Sequence, residues 1–136
     1  MNLKSIMTAR VVTVELDDPL SVVKQIFDSA KFHHLLVVDH GRLCGVISDR
    51  DLLRALSPYV GTVSETARDS ATLKKRVHQI MSRKPVTLPP EATIPEAIQV
   101  MLEHGVSCIP VVDANFKPIG IVSWRDLLKK MIAPTP

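Results

Sequence analysis

The sequence is poor in aromatic residues and cysteine, and it contains no long apolar run. Aromatics make up 4% of 136 residues, so a core must be aliphatic and few rings can stack on nucleic-acid bases. The two cysteines, Cys44 and Cys108, form no CxxC pair, which excludes the usual redox and zinc-ribbon motifs. No stretch is long enough to span a bilayer, and the first seven residues lack the apolar run of a signal peptide. We therefore expect a cytoplasmic protein with reduced thiols and no membrane association.

Signatures of catalysis and of metal binding are also missing. The chain has no Walker-type phosphate loop, no Gly-x-Gly-x-x-Gly fingerprint and no Ser-His-Asp spacing pattern. His33 and His34 are adjacent on a predicted strand and point to opposite faces, so they cannot easily share an ion. Zinc normally needs three or four converging ligands, and the other histidines are scattered along the chain. The sequence therefore predicts neither an enzyme nor a metal site.

The charge balance permits an anionic ligand without requiring nucleic acid. The net charge is +3 and apolar residues make up 46% of the chain, which suits a packed domain. The pI of about 9.0 and the run Lys74–Arg76 leave nucleic-acid binding open as a less favoured alternative. Such a short run of charge is more typical of a solvated surface than of a binding face.

One nine-residue stretch is present twice and organises the chain. Gly45–Leu53 and Gly120–Leu128 both read glycine, two β-branched residues, serine, two variable residues, aspartate and two leucines. Matching apolar segments upstream recur with a shift of 74 residues, and the stretch itself recurs with a shift of 75. A long repeat present twice indicates two similar supersecondary units packed together. We divide the chain into a first repeat (1–57), a linker (58–76) and a second repeat (77–133).

The local patterns predict the same order of elements, β-α-β-β-α, in each repeat. In the first repeat we predict strands at 10–14, 35–38 and 43–47 and a helix that Asp18 caps, with Pro19 in its first turn. A second helix begins at Ser48. In the second repeat we predict a strand over Val86–Leu88, strands at 109–112 and 119–122, and a last helix over 124–131. A Thr93–Glu96 capping box begins the first helix of this repeat, and a left-handed Gly105 ends it. The linker reads as a loop followed by a solvated helical turn or two.

This pattern resembles the CBS domain family, named after cystathionine beta-synthase. The resemblance covers nearly the whole chain outside the linker, and its motif is specific because both copies are in register. It implies an α+β fold in which two β-α-β-β-α repeats form a pseudo-two-fold tandem pair, often called a Bateman module. The residues that carry it are Ile6–Met7, Leu35–Asp39, Gly45–Leu53, Ile80–Ser82, Ile109–Asp113 and Gly120–Leu128.

The resemblance also implies a function and a set of ligand contacts. Family members bind AMP, ADP, ATP or S-adenosylmethionine in clefts between the repeats, with no cofactor required, and they commonly dimerise through helical faces. We therefore expect a non-catalytic regulatory homodimer that signals to a separate, unknown effector protein. The matching ribose-binding residues are Asp51 and Asp126, with Ser48 and Ser123 on the phosphate side. The adenine contacts fall on Val12, His34, Leu35 and Leu36 in the first repeat, and on Val86, Cys108, Ile109 and Pro110 in the second.

The repeated junction also has a purely structural interpretation. Ser-x-x-Asp fits a helix capping box, which stabilises a helix start by about 1 kcal/mol per residue without any ligand. A structural or oligomerisation module that binds no nucleotide therefore remains an alternative. A helix start also suits a phosphate, and Arg50 and Arg125 lie close enough in sequence to pair with one.

The two copies of the junction differ in one variable position. Asp49 adds a negative charge to the first junction, whereas Trp124 occupies the matching place in the second. A second carboxylate should disfavour phosphate. We therefore predict that the junction of Ser123, Arg125 and Asp126 is the better nucleotide site.

Overall fold

The computed structural model describes residues 1–30 and 32–132. The expected α+β class is confirmed, with six strands and six α-helices in the described part of the chain. The predicted end of the second repeat at residue 133 lies outside these residues. The strands are β1 (Thr13–Glu15), β2 (His34–Asp39), β3 (Arg42–Ser48), β4 (Ser82–Arg83), β5 (Cys108–Val112) and β6 (Pro118–Ser123). The helices are α1 (Leu20–Ser29), α2 (Asp49–Ala55), α3 (Ala67–Ala71), α4 (Val77–Ile80), α5 (Ile94–His104) and α6 (Trp124–Ile132).

The strands form a four-stranded and a two-stranded sheet. The larger has the order β1-β2-β3-β4, with β1 parallel to β2 and β3 antiparallel to β4. The smaller pairs β5 with β6 antiparallel, with a register shift between Val111 and Val112. The tight turn between β2 and β3 places His40 and Gly41 at positive φ, the backbone conformation of two-residue hairpins. No helix among the described residues is long and apolar enough to cross a membrane.

The described residues group into two compact units, each built mainly from one repeat; α4 and β4, which the sequence division gives to the second repeat, belong to the first-repeat unit. The first-repeat unit comprises Val12–Asp39 and Cys44–Arg83, and the second-repeat unit comprises Met1–Val11, His40–Leu43 and the chain from Lys84 onward. Each has its own aliphatic core, as expected from the scarcity of aromatics. The first core consists of Val14, Leu20, Val23, Leu35, Val37, Ile47, Leu52, Val77 and Met81. The second consists of Leu3, Ala92, Ala97, Met101, Ile109, Val111, Val122 and Leu127.

The segments that lead into the repeats are exchanged between the units. Leu3, ahead of the first repeat's strands, is fully buried in the second-repeat core, and its amide donates to the Ala92 carbonyl at 2.9 Å. Val77 is likewise buried in the first-repeat core, and its amide donates to the Asp18 carbonyl at 2.9 Å. The compact units therefore do not coincide with contiguous stretches of sequence. The division at 57 and 76 stays a prediction about the sequence repeats.

Most predicted helix boundaries are confirmed, but the cap of α1 is wrong. Thr93 and Glu96 form the predicted capping box of α5, and Gly105 ends that helix with φ 62°. Pro19, not Asp18, is the N-cap of α1, and no side chain caps this helix. The Asp18 carboxylate instead accepts from the Glu15 amide at 2.8 Å and closes the preceding turn, while the Leu20 amide donates to the Lys75 carbonyl. A tertiary backbone contact therefore satisfies the donor that the sequence assigns to a local cap.

The first strand of each repeat differs from its prediction. The strand expected at 10–14 occupies Thr13–Glu15, and the one expected at Val86–Leu88 is reduced to a single bridge between Leu88 and Val111. The register is the same in both repeats. Val14 pairs with Val37 in the first repeat, and Leu88 pairs with Val111, at the equivalent positions, in the second. In the first repeat the Leu36 amide donates to the Val12 carbonyl. Pro110 occupies the equivalent position and has no amide hydrogen, so the corresponding bond to Val86 is lost and the strand shrinks.

The segment predicted as a linker contains the expected short helix. Thr66 and Asp69 form a capping box at the start of α3. The Asp69 carboxylate also accepts from the Ser57 hydroxyl at 2.7 Å, and these hydrogen bonds lower the pKa of Asp69. The segment is thus tied back to the end of the first repeat rather than being an unstructured connection.

Candidate functional site

Both predicted junctions are capped helix starts at the end of a strand. In the first, the Asp51 amide donates to the Ser48 hydroxyl at 3.1 Å, and the Ser48 amide donates to Oδ2 of Asp51 at 2.8 Å. In the second, the equivalent distances are 3.2 Å for the Asp126 amide and 2.8 Å for the Ser123 amide. The structural interpretation of these residues as capping boxes is confirmed.

The caps leave one oxygen of each aspartate available. In both boxes the backbone amide donates to Oδ2, and in the second the Ser123 hydroxyl donates to the same atom at 3.1 Å. Within residues 1–30 and 32–132, Oδ1 of Asp51 and Oδ1 of Asp126 accept no hydrogen bond from the protein. Both aspartates are half-buried. The hydrogen bond to Oδ2 holds each carboxylate in place and thereby positions its Oδ1. The two roles are therefore compatible, because capping uses one carboxylate oxygen and a pair of ribose hydroxyls could use the other.

The arginines of the two motifs are exposed and uncommitted. Arg50 and Arg125 each lie one residue before the capping aspartate, in the first turn of α2 and of α6. In the part of the chain that the structure describes, neither guanidinium forms an ion pair or a hydrogen bond. A guanidinium beside the free amides of a helix start is a suitable partner for a phosphate.

In the first-repeat unit, the predicted adenine residues lie beside the junction. Val12 is 37% exposed and joins β2 through its carbonyl, which accepts from the Leu36 amide at 3.2 Å. The start of β2 lies beside the start of α2, since the Asp49 amide donates to the His33 carbonyl at 3.0 Å. His34 is half-buried, and burial lowers the pKa of its imidazole despite the opposing effect of Asp49. This histidine is consequently neutral at pH 7 and suited to an uncharged contact.

The second-repeat unit repeats this arrangement with different side chains. Cys108 pairs directly with Ser123 across the β5–β6 ladder, and the Trp124 amide donates to the Ser107 carbonyl at 3.0 Å. Burial raises the pKa of the Cys108 thiol to about 12, so this residue offers an apolar contact and no nucleophile. The Pro110 carbonyl accepts from the Leu88 amide, in the segment predicted as the first strand of this repeat. Val86, two residues before Leu88, is half-buried.

Two of the predicted adenine residues have side chains in the cores. Leu35 and Ile109 are fully buried and belong to the first and second core respectively. Strand residues alternate between faces, so Leu36 and Pro110 point to the opposite side of the same strands. Leu35 and Ile109 therefore have only backbone atoms to offer a ligand. The side chains of Leu36 and Pro110 belong to neither core, but they are also fully buried.

The structure adds one pair of residues that the sequence analysis did not connect. Nδ1 of His33 lies 2.8 Å from Oδ2 of Asp49, and both side chains are partly exposed, at 62% and 40%. The pair forms because the His33 carbonyl already holds the Asp49 amide, which places the two side chains next to each other. Aligning the repeats by their shifts of 74 and 75 residues would have matched His33 with Ser107 and Asp49 with Trp124, and so indicated that both positions face the junction.

In the described part of the chain, no metal cluster is found, and one groove lies away from the junctions. Among the described residues, no three histidine, cysteine, aspartate or glutamate side chains converge as a metal site. A groove of about 340 Å³ lies at the other end of β5 from Ser123 and contains none of the predicted site residues. It is lined by Thr87, Leu88, Pro89, Pro90, Glu91, Val112, Asp113 and Ala114.

Comparison with known proteins identifies the repeats. The family model for the CBS domain matches residues 3–58 and again residues 77–133. A CBS domain-containing protein of Dictyostelium discoideum is 35% identical over 98% of this chain and 94% of its own length. Four other curated relatives are longer, and their matched regions cover 23%, 35%, 43% and 44% of their lengths.

Two solved structures with the same fold are similar over nearly the whole chain. The CBS domain of a CBS domain-containing membrane protein from Sphaerobacter thermophilus has a TM-score of 0.81 and 32% identity, covering 94% of this chain and 86% of that one. The protein CBSX2, solved in complex with AMP, has a TM-score of 0.79 and 26% identity, covering 96% of each chain.

Proposed function

The chain belongs to the CBS domain family, with two copies of the domain, and on that premise we propose that it is a non-catalytic regulatory module that binds an adenosine-containing ligand at its helix-start junctions. The observation that carries this proposal is the uncommitted Oδ1 of Asp51 and Asp126 beside a capped helix start. An acidic residue that accepts hydrogen bonds from ribose hydroxyls is a common element of nucleotide sites. AMP in the related CBSX2 structure supports the choice of ligand class.

We assign the contacts as the family resemblance does. Asp126 and Asp51 take the ribose, and Ser123, Arg125, Ser48 and Arg50 take the phosphate. The adenine lies against Val12, His34 and Leu36 in one junction and against Val86, Cys108 and Pro110 in the other, with backbone contacts from Leu35 and Ile109. AMP, ADP and ATP all fit these contacts, and S-adenosylmethionine presents the same ribose and adenine.

We propose that the module works as a homodimer in the cytoplasm and acts on a separate effector protein. The support is an exposed apolar face on α6 with an adjacent edge of α5, formed by Ile98, Leu102, Trp124, Leu128, Met131 and Ile132. Four of these side chains are more than half exposed, which is unusual for large apolar residues clustered on two neighbouring helices. A ligand that binds one arrangement of the dimer better shifts the population toward it, and the effector responds to that shift.

The test is a thermal-shift screen of the purified protein with AMP, ADP, ATP and S-adenosylmethionine. A ligand that binds only the folded protein stabilises it by about 2.7 kcal/mol at a hundredfold excess over its Kd. We expect at least one of the four to raise the Tm in a concentration-dependent way. A cooperative unfolding transition that none of them shifts would overturn the proposal.

A purely structural oligomerisation module is the second candidate. It is favoured by the capping boxes, which are complete without ligand, and by the apolar face on α5 and α6. Sedimentation velocity separates the two functions when combined with the screen. A stable dimer that binds none of the four ligands would indicate the structural role, whereas a dimer that binds one of them supports regulation.

A further inference from the structure

The apolar face on α5 and α6 has an equivalent in the first repeat that is mostly polar. The equivalent positions lie on α1 and α2, which also pack against each other, 74 and 75 residues earlier in the chain. Ile98 and Leu102 of α5 correspond there to Lys24 and Asp28, which form an ion pair at 2.6 Å. The full set of equivalents is Lys24, Asp28, Asp49, Leu53, Leu56 and Ser57. Two units of similar construction therefore expose surfaces of opposite character.

The charges beside the apolar face differ in sign between its two helices. α5 contains two exposed glutamates and no lysine or arginine. α6 contains three exposed cations, and its one carboxylate, Asp126, is half-buried in the cap. Within residues 1–30 and 32–132 those cations form no ion pair. Glu103 directly follows Leu102, and Lys129 directly follows Leu128, so each charge lies about 100° around its helix from the apolar stripe, at the rim of the face.

A face with an apolar centre and both signs of charge at its rim is complementary to a second copy of itself. A two-fold axis that brings α5 of one copy against α6 of the other joins the acidic rim to the basic rim twice. Pairing like helices would instead place like charges together. The first-repeat face is a poorer partner, because an apolar surface covering Lys24 and Asp28 would remove their charges from water without compensation.

We propose that two copies of this chain associate through their second repeats alone, with α5 of each copy against α6 of the other. The contact is isologous, and the polar face on α1 and α2 stays in solvent. This inference rests on the homodimer of the proposed function, and it identifies the repeat and the helix pairing that form the contact.

Matched substitutions at equivalent positions test which repeat forms the contact. Leu128 on α6 and Leu53 on α2 are equivalent, and they are 48% and 74% exposed. Leu128→Lys is expected to weaken the dimer at least about a hundredfold, because each dimer contains two copies of this leucine and burying one is worth about tenfold or more. Leu53→Lys is expected to leave the dimer Kd unchanged. Sedimentation velocity over a concentration series measures the Kd of each protein.

Two further measurements assign the effect to the apolar face rather than to misfolding. Leu102 is 79% exposed and lies outside the core, so Leu102→Lys is expected to weaken the dimer as Leu128→Lys does while its urea unfolding stays cooperative. Trp124 is the one tryptophan of the chain and belongs to the face. Its emission is expected to move to longer wavelength when the unmutated protein is diluted below the dimer Kd, because the indole is then returned to water.

Charge reversal tests the pairing of α5 with α6. Glu103→Lys and Lys129→Glu are each expected to weaken their own homodimer at least about fivefold, the value of one charge pair at 4 Å in water. A mixture of the two variants is expected to form a heterodimer with the Kd of the unmutated protein, because each contact again joins opposite charges. Neither chain in the mixture holds both changes, so pairing within one chain cannot produce this recovery.

The outcomes separate this inference from the proposed function. The inference is overturned if Leu53→Lys weakens the dimer as much as Leu128→Lys, or if neither weakens it. It is also overturned if the charge reversals leave their homodimers unchanged, if the mixture fails to recover, or if the unmutated protein is a monomer. Ligand binding is measured separately by the thermal-shift screen. If these tests succeed and none of the four ligands shifts the Tm, the inference stands and the regulatory function is wrong.

Discussion

Replacing Asp126 with alanine is expected to weaken AMP binding by at least about tenfold, the value of one charge-assisted hydrogen bond. Oδ1 of Asp126 accepts no hydrogen bond within the described residues, and the cap holds it in position beside the helix start. Loss of the carboxylate removes the acceptor for the ribose hydroxyls. Calorimetric titration with AMP measures the effect. The equivalent Asp51→Ala change is expected to have a smaller effect, because Asp49 already makes the first junction a poorer phosphate site.

The chain offers a matched control for the lost cap. Glu96→Ala breaks the capping box of α5, which lies in the same unit and has the same geometry, with the Glu96 amide 3.2 Å from the Thr93 hydroxyl. Both substitutions should cost about 1 kcal/mol of stability, but only Asp126→Ala should lose the ligand. An equal loss of AMP affinity in Glu96→Ala would attribute the effect to stability. Equal losses in Asp51→Ala and Asp126→Ala would show that the junctions are equivalent.

Replacing Gly120 with alanine is expected to destabilise the protein by about 1–3 kcal/mol, the usual cost of overpacking an interior contact. A Cβ at Gly120 would overlap Sδ of Met7 and would lie 2.9 Å from Cγ of that residue. The equivalent Gly45 is in contact with Met81, whose Sδ would lie 2.6 Å from an added Cβ. The free energy of unfolding in urea measures both effects. Adding a methyl group at either glycine displaces a methionine, Met7 or Met81. Each of these methionines lies in the segment that leads into one repeat and packs in the other repeat's unit.

The two glycines should respond differently to removal of the methionine. In Gly120→Ala, the three nearest atoms all belong to the Met7 side chain, so Met7→Ala should largely relieve the clash. In Gly45→Ala, the Ser82 carbonyl oxygen would lie 3.0 Å from the new Cβ, and it belongs to the backbone of β4. Met81→Ala should therefore relieve less of that cost. A double-mutant cycle measures the coupling energy between each glycine and its methionine. Additive effects in both pairs would contradict the packing described.

Local sequence patterns predicted the capped junctions and most of the elements around them. Ser48 with Asp51, Ser123 with Asp126, and Thr93 with Glu96 are each separated by three residues, and their hydrogen bonds form within one helical turn. Gly105 ends α5 for a similarly local reason, since a left-handed residue is needed there. The repeat is also a pattern in the sequence, and it carries the resemblance to the CBS family that the family model shows.

The cap of α1 and the first strand of the second repeat depend on contacts that are distant in sequence. The Leu20 amide is satisfied by the Lys75 carbonyl, so Asp18 is released to close a turn. The strand at Val86 shrinks because Pro110, 24 residues away, lacks the amide that its first-repeat equivalent donates. Strand propensity describes a residue and its neighbours, and it contains no information about whether a partner strand has a donor in register.

The sequence by itself determined the family, the two helix-start junctions and their aspartates, because these are set by residues within one turn of each other. Only the tertiary structure decided that Met7 packs on Gly120, that Met81 packs on Gly45, and that His33 meets Asp49 at 2.8 Å. These contacts join residues 16 to 113 positions apart, and their pairing follows from which strands and segments share a core. The same fold-level pairing sets a histidine beside an aspartate at one junction and a serine beside a tryptophan at the other, although the two motifs read almost alike.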